Sequence, residues 1–114
     1  MCLYVGSEVM LAAIFQNDTA QTMGVTFSQL DSFSEKLQIE LSAPGGLWLD
    51  YCIKEIREMA FERPNLFKIE GNRIYLNTQN KHGIKILFQN IKRYSPEEQS
   101  ILSTNAKIAL DTAA

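Results

Sequence analysis

Side chains able to make and break bonds are few and scattered in this chain of 114 residues. His82 is the single histidine and sits in the polar run Asn80-Lys81-His82-Gly83, with no nucleophile or orienting carboxylate close by in sequence. That setting is a solvated turn rather than the site of a general base. Cys2 and Cys52 match no metal or redox spacing, and one histidine with two distant cysteines cannot build an ordinary zinc site. Cys52 falls on an apolar helical stripe, where a thiol is an inert small hydrophobe. Glu97 and Glu98 are adjacent and point to different faces of a helix, so they act as caps and not as an acid/base pair. Gly45-Gly46 stands without the lysine or spacing of a phosphate loop. No catalytic residue, metal or cofactor is therefore assigned, and the expectation is a non-enzymatic protein.

The composition, 46% hydrophobic and 21% charged with a net charge of −2, is that of a soluble globular chain. Its length supports one core, so residues 1–114 are read as a single domain. Two cysteines are too few for a disulfide framework, which fits a cytoplasmic or nuclear, reducing environment. The opening segment 1–16 is apolar like a signal peptide. It lacks a basic start and a convincing small-residue cleavage site, however, and it carries Glu8. No window reaches the roughly 20 apolar residues that cross a bilayer, and nothing supports lipid anchoring at Cys2. No membrane role is expected.

The elements that must position any site follow from periodicity. Within an N-terminal segment, 1–25, a helix is expected over Glu8–Gln16 with Ser7 as cap, although Cys2–Val5 also suits a strand, and "NDTAQTMG" reads as a loop. Thr26 and Gln29 form a capping-box pattern for a second helix, to about Gln38, before a short extended piece. After the breaker "SAPGG", Leu49, Cys52, Ile53, Ile56 and Ala60 mark a third helix over Leu47–Phe61, with Asp50 and Lys54 paired on its solvated side and Pro64 ending it. Phe67 and Ile69 alternate with Lys68 and Glu70, Gly71-Asn72 is a two-residue turn, and Ile74 and Leu76 resume the alternation. This predicts a β-hairpin, and Ile84, Ile86 and Phe88 read as a third antiparallel strand. Ser95, Pro96 and Glu98 open a C-terminal helix, residues 95–111.

The fold class is thus a small, helix-rich α+β domain with a two- to three-stranded antiparallel meander and a C-terminal helix. Three helices followed by a hairpin resemble the winged-helix family, with Leu47–Phe61 in the place of the recognition helix and Phe67–Asn77 as the wing. A helix-flanked β-meander is the alternative architecture. In DNA-binding members that helix offers basic and amide side chains to base edges. Here it carries Asp50, Glu55 and Glu58 against Lys54 and Arg57. Acids facing phosphates oppose binding, so the resemblance implies a domain of the protein-binding kind.

Two surfaces follow. An adaptor or regulatory module binding another protein would use Trp48 and Leu49, at the start of the third helix, with Arg73 and Tyr75 on the hairpin; Tyr75 is out of phase with Ile74 and Leu76. Nucleic-acid binding is the alternative. Residues 64–93 hold Lys68, Arg73, Lys81, Lys85, Lys92 and Arg93 against Glu70 alone, a basic edge toward an anionic backbone. A homodimer through the C-terminal helix, using Ile101, Leu102 and Ile108, is a further expectation.

Overall fold

Met10–Phe15 is an uninterrupted apolar run, and a helix that is apolar all round has to sit inside other elements. A computed structural model, which describes residues 3–40, 47–49 and 53–112, places this run at the centre. Helix α1 (Ser7–Phe15) begins after Gly6, one residue before the expected Ser7 cap, and all of Met10–Phe15 is at most 2% exposed. Helices α2 (Asp18–Met23), α4 (Ile53–Glu62), α5 (Lys81–Gln89) and α6 (Pro96–Thr112) all pack against α1. Burying each large side chain of this run contributes about 1.5–3 kcal/mol.

Around this centre run β1 (Leu3–Val5), β2 (Val25–Thr26), α3 (Phe27–Glu40), β3 (Leu47–Leu49), β4 (Phe67–Glu70) and β5 (Arg73–Leu76). The small α+β class holds. Both capping boxes form: the Thr26 N–H donates to Gln29 Oε1 at 2.8 Å and the Gln29 N–H to Thr26 Oγ1 at 3.1 Å, while Ser95 and Glu98 exchange the same bonds at 2.8 and 3.2 Å. Buried Leu30, Phe33 and Leu37 of α3 join Leu102, Ala106 and Ala109 of α6 in the core, and the Gln29 amide reaches the Leu110 carbonyl at 3.4 Å.

The hairpin is as expected, with Glu70 opposite Arg73 across Gly71-Asn72 and Gly71 at φ +61°. A glycine with positive φ at the first turn position matches the twist of the strands. The third strand of the sheet is β2, and the order is β2-β5-β4, antiparallel throughout. Phe67 joins the hairpin to α1 by stacking tilted on Phe15, with ring centroids 5.9 Å apart.

Four expectations are corrected. The segment with Ile84, Ile86 and Phe88 is helix α5 and not a strand. Its Asn80 side chain accepts from the Gly83 N–H at 3.0 Å, and Ile84, Leu87, Phe88 and Ile91 form the inward stripe, leaving Ile86 51% exposed. The "NDTAQTMG" stretch is not a loop but contains α2, capped by Asn17 accepting from Thr19 N–H at 2.9 Å. Within the described residues the third helix is Ile53–Glu62, and Leu47–Leu49 is instead a strand paired parallel to β1, with Leu3 opposite Leu47. The second helix continues to Glu40, where a short extended piece was expected. The breaker "SAPGG", Cys2 and Cys52 lie outside the described residues.

Two outcomes follow from the packing. Gly24 ends α2 at φ +78°, and a Cβ there would lie 2.8 Å from both the Ile74 carbonyl oxygen and Tyr75 Cδ1. Gly24→Ala should therefore lower stability by about 1–3 kcal/mol in urea unfolding; an unchanged midpoint would contradict that close approach. Burial raises the Tyr94 hydroxyl pKa above its ordinary 10.0, with Arg93 opposing and Glu98 adding to the shift. The folded state then holds this proton more tightly than the unfolded chain. Its contribution is complete below about pH 10 and is lost as pH rises through the folded value. Tyr94→Phe should accordingly flatten the fall of stability above about pH 10, measured by urea unfolding across an alkaline series.

Candidate interaction site

Helix α4 turns Ile56 and Ala60 into the core and leaves Lys54, Glu55, Arg57, Glu58, Phe61 and Glu62 exposed. Charged side chains on that outer face are ordinary. Phe61, 71% exposed at the helix end, is not. Pro64 prevents the helix from continuing, and the chain turns directly into β4, the Arg63 carbonyl accepting from the Leu66 and Phe67 N–H groups at 3.0 and 2.9 Å. This tight return leaves a groove of about 430 Å3 between the end of α4 and the hairpin, lined by Phe61, Pro64, Ile69 and Tyr75, with Lys68 as its charged lining residue.

The groove lies along an open strand edge. In the sheet order β2-β5-β4, β4 has a neighbour on one side only among the described residues. The Asn77 N–H donates to the Leu66 carbonyl at 2.8 Å. Since bonded and non-bonded pairs alternate in an antiparallel ladder, Lys68 bonds with Tyr75, and the backbone groups of Ile69 point away from β5. Above this edge Lys68 Nζ lies 2.9 Å from Glu70 Oε1, and the hydrogen bond to that carboxylate, reinforced by its charge, raises the Lys68 pKa.

The expected site residues are distributed unevenly. Tyr75 lines the groove, half-buried, with its ring also close to Gly24. Arg73, its neighbour two residues earlier, is half-buried, and its Nη1 donates to the Met23 carbonyl at 3.0 Å and ties β5 to the end of α2. Trp48 and Leu49 belong by their backbones to the separate β1–β3 pair, opposite Tyr4 and Val5; their side chains lie outside the described residues. The cations of 64–93 do not share one element. Lys68 is on β4 beside Glu70, Lys81 and Lys85 are exposed one turn apart on α5, and Lys92 and Arg93 follow that helix, with Arg93 Nη2 3.2 Å from Asn90 Oδ1. His82 is exposed in the first turn of α5.

Phe61 and Ile69 were the residues that periodicity passed over. Phe61 sits one position past the inward Ala60 on a helix whose other outward positions are charged, and an apolar side chain out of phase in this way was the available signal. Ile69 fitted the core alternation, and only the strand order shows that its backbone is unpaired on the outer side.

No protein-family model, curated protein or solved structure matches the chain. Among the described residues no cluster of three or more histidine, cysteine or carboxylate side chains is placed to hold a metal ion. No helix among them is long and apolar enough to cross a membrane.

An exposed ring contributes little to folding, so Phe61→Ser should change stability by no more than about 0.5 kcal/mol. Ile56→Ala, one turn earlier and fully buried, should cost about 2–5 kcal/mol in the same urea titration. A large loss from Phe61→Ser would return that ring to the core.

Proposed function

We propose that this chain is a non-enzymatic protein-interaction module, adaptor or regulatory in kind, with a winged-helix-like build. Its binding surface is the groove between α4 and β4. The observation that carries the reading is Phe61, 71% exposed beside an apolar groove. Aromatic side chains at the centre of such a depression are the usual anchors of protein interfaces. The winged-helix-like build is supported by element order, in which α2, β2, α3, α4 and the β4–β5 hairpin follow in turn with β2 pairing onto β5, and it departs from that build in strand β3 between α3 and α4. The exposed face of α4 mixes Lys54 and Arg57 with Glu55, Glu58 and Glu62. That mixture favours a protein over a phosphate backbone. A reducing, cytoplasmic setting belongs to the same reading, from the two cysteines alone.

Nucleic-acid binding is a second reading, favoured by one observation. The segment 71–94 contains no acidic residue, and α5 presents Lys81 and Lys85 together on its exposed side. Its signature would be affinity that collapses with salt.

The test is selection of peptides from a random library against the folded protein, followed by amide chemical-shift mapping. Bound peptides should shift Phe61, Lys68 and Ile69, and Phe61→Asp should weaken them at least ~10-fold, about 1.4 kcal/mol. Shifts confined to α5, or peptides indifferent to Phe61→Asp, would contradict the reading.

A further inference from the structure

The open edge of β4 is built for one partner in particular. An exposed edge strand is normally defended by a proline, a bulge or a charge that repels a second strand. β4 has neither proline nor bulge, and its exposed side chains are of opposite sign: Lys68 and Glu70, on either side of Ile69. Such a pattern does not repel itself.

We infer that two copies of this chain associate through their β4 edges, antiparallel, about a twofold axis at Ile69. The outward N–H and C=O of Ile69 exchange two hydrogen bonds with those of Ile69 in the second copy, forming a closely bonded pair. That register places Lys68 opposite Glu70 of the second copy and Glu70 opposite its Lys68, so the charges complement at both positions. The contact is isologous and closes at two subunits, joining two three-stranded sheets into one of six strands. The Lys68–Glu70 pair within each strand, 2.9 Å apart, exchanges one partner for another, since both groups lie on the exposed face of the sheet.

The ladder cannot run further. The Phe67 N–H is already held by the Arg63 carbonyl, and Gly71 belongs to the turn. Two hydrogen bonds and two charge pairs make a reversible dimer that forms with rising concentration. The axis, perpendicular to the sheet, keeps both α4–β4 grooves on the same side. The inference goes beyond the partner-protein reading, because it rests on the backbone edge and the Lys68 and Glu70 charges of β4, whereas that reading rests on Phe61. Of the α6 face expected for a dimer from sequence, Leu102 is 1% exposed inside its own chain, Ile101 is partly buried and Ile108 is 40% exposed.

Charge reversal gives a test that misfolding cannot imitate. Sedimentation velocity from about 10 μM to about 1 mM should show the wild-type chain passing from monomer to dimer. Lys68→Glu sets glutamate against glutamate in the dimer, and Glu70→Lys sets lysine against lysine. Each alone should weaken association at least ~10-fold. An equimolar mixture of the two variants pairs opposite charges at both positions and should restore the dimer as a heterodimer. Circular dichroism of each variant checks that the fold is kept. A wild-type chain monomeric throughout, single variants that dimerise like wild type, or a mixture no stronger than its components would each overturn the proposal.

Discussion

The constraint on which everything else depends is the burial of α1. Six successive side chains, Met10 to Phe15, are at most 2% exposed, so no face of that helix can be left to solvent. A helix in this position needs neighbours on every side, and α2, α4, α5 and α6 pack against it. α6 in turn covers α3. The hairpin is drawn into the same core through the Phe15–Phe67 contact and the buried Ile74 and Leu76. Substituting a polar residue anywhere in 10–15 would leave an unpaired group in the core, and that costs more than most surface changes.

The site follows from the same constraint. With α4 fixed against α1 by Ile56 and Ala60, and β4 fixed by Phe67, the short Arg63–Leu66 return sets their separation. It brings Phe61 beside the strand edge and leaves the groove between them. On the opposite side of the sheet, β2 covers β5, held by the Gly24 approach to Ile74 and Tyr75 and by the Arg73 bond to Met23. The sheet thus ends in β2 on one side and in β4 on the other, and the β4 edge is the one beside Phe61.

Much of this was legible in the sequence, and the failures have physical causes. Capping boxes and a Gly-Asn turn are local codes satisfied by residues within three positions, and Thr26–Gln29, Ser95–Glu98 and Gly71 behaved accordingly. The Ile84, Ile86, Phe88 alternation misled because Leu87 and Ile91 complete an equally good helical stripe, and the Asn80 cap decides between them. Leu47–Leu49 looked helical by phase, yet pairing with Leu3–Val5, distant in sequence, makes it a strand. Of the residues that line the groove, the sequence singled out one for the protein-binding surface. Tyr75 stood out by its odd phase, whereas the placing of Phe61 and Ile69 beside it arises from strand order and the α4–β4 turn, which periodicity does not carry.

The central claim is that the buried run Met10–Phe15 of α1 holds a hairpin whose outer edge stays unpaired at Ile69. Residue-resolved amide hydrogen exchange on dilute protein tests it most directly. The account predicts that the amides of Ile14 and Phe15 exchange only through global unfolding. It also predicts that Lys68 is protected by its bond to β5, while Ile69, beside it, exchanges orders of magnitude faster. Equal protection at Lys68 and Ile69, or α1 amides that exchange before those of the strands, would contradict it.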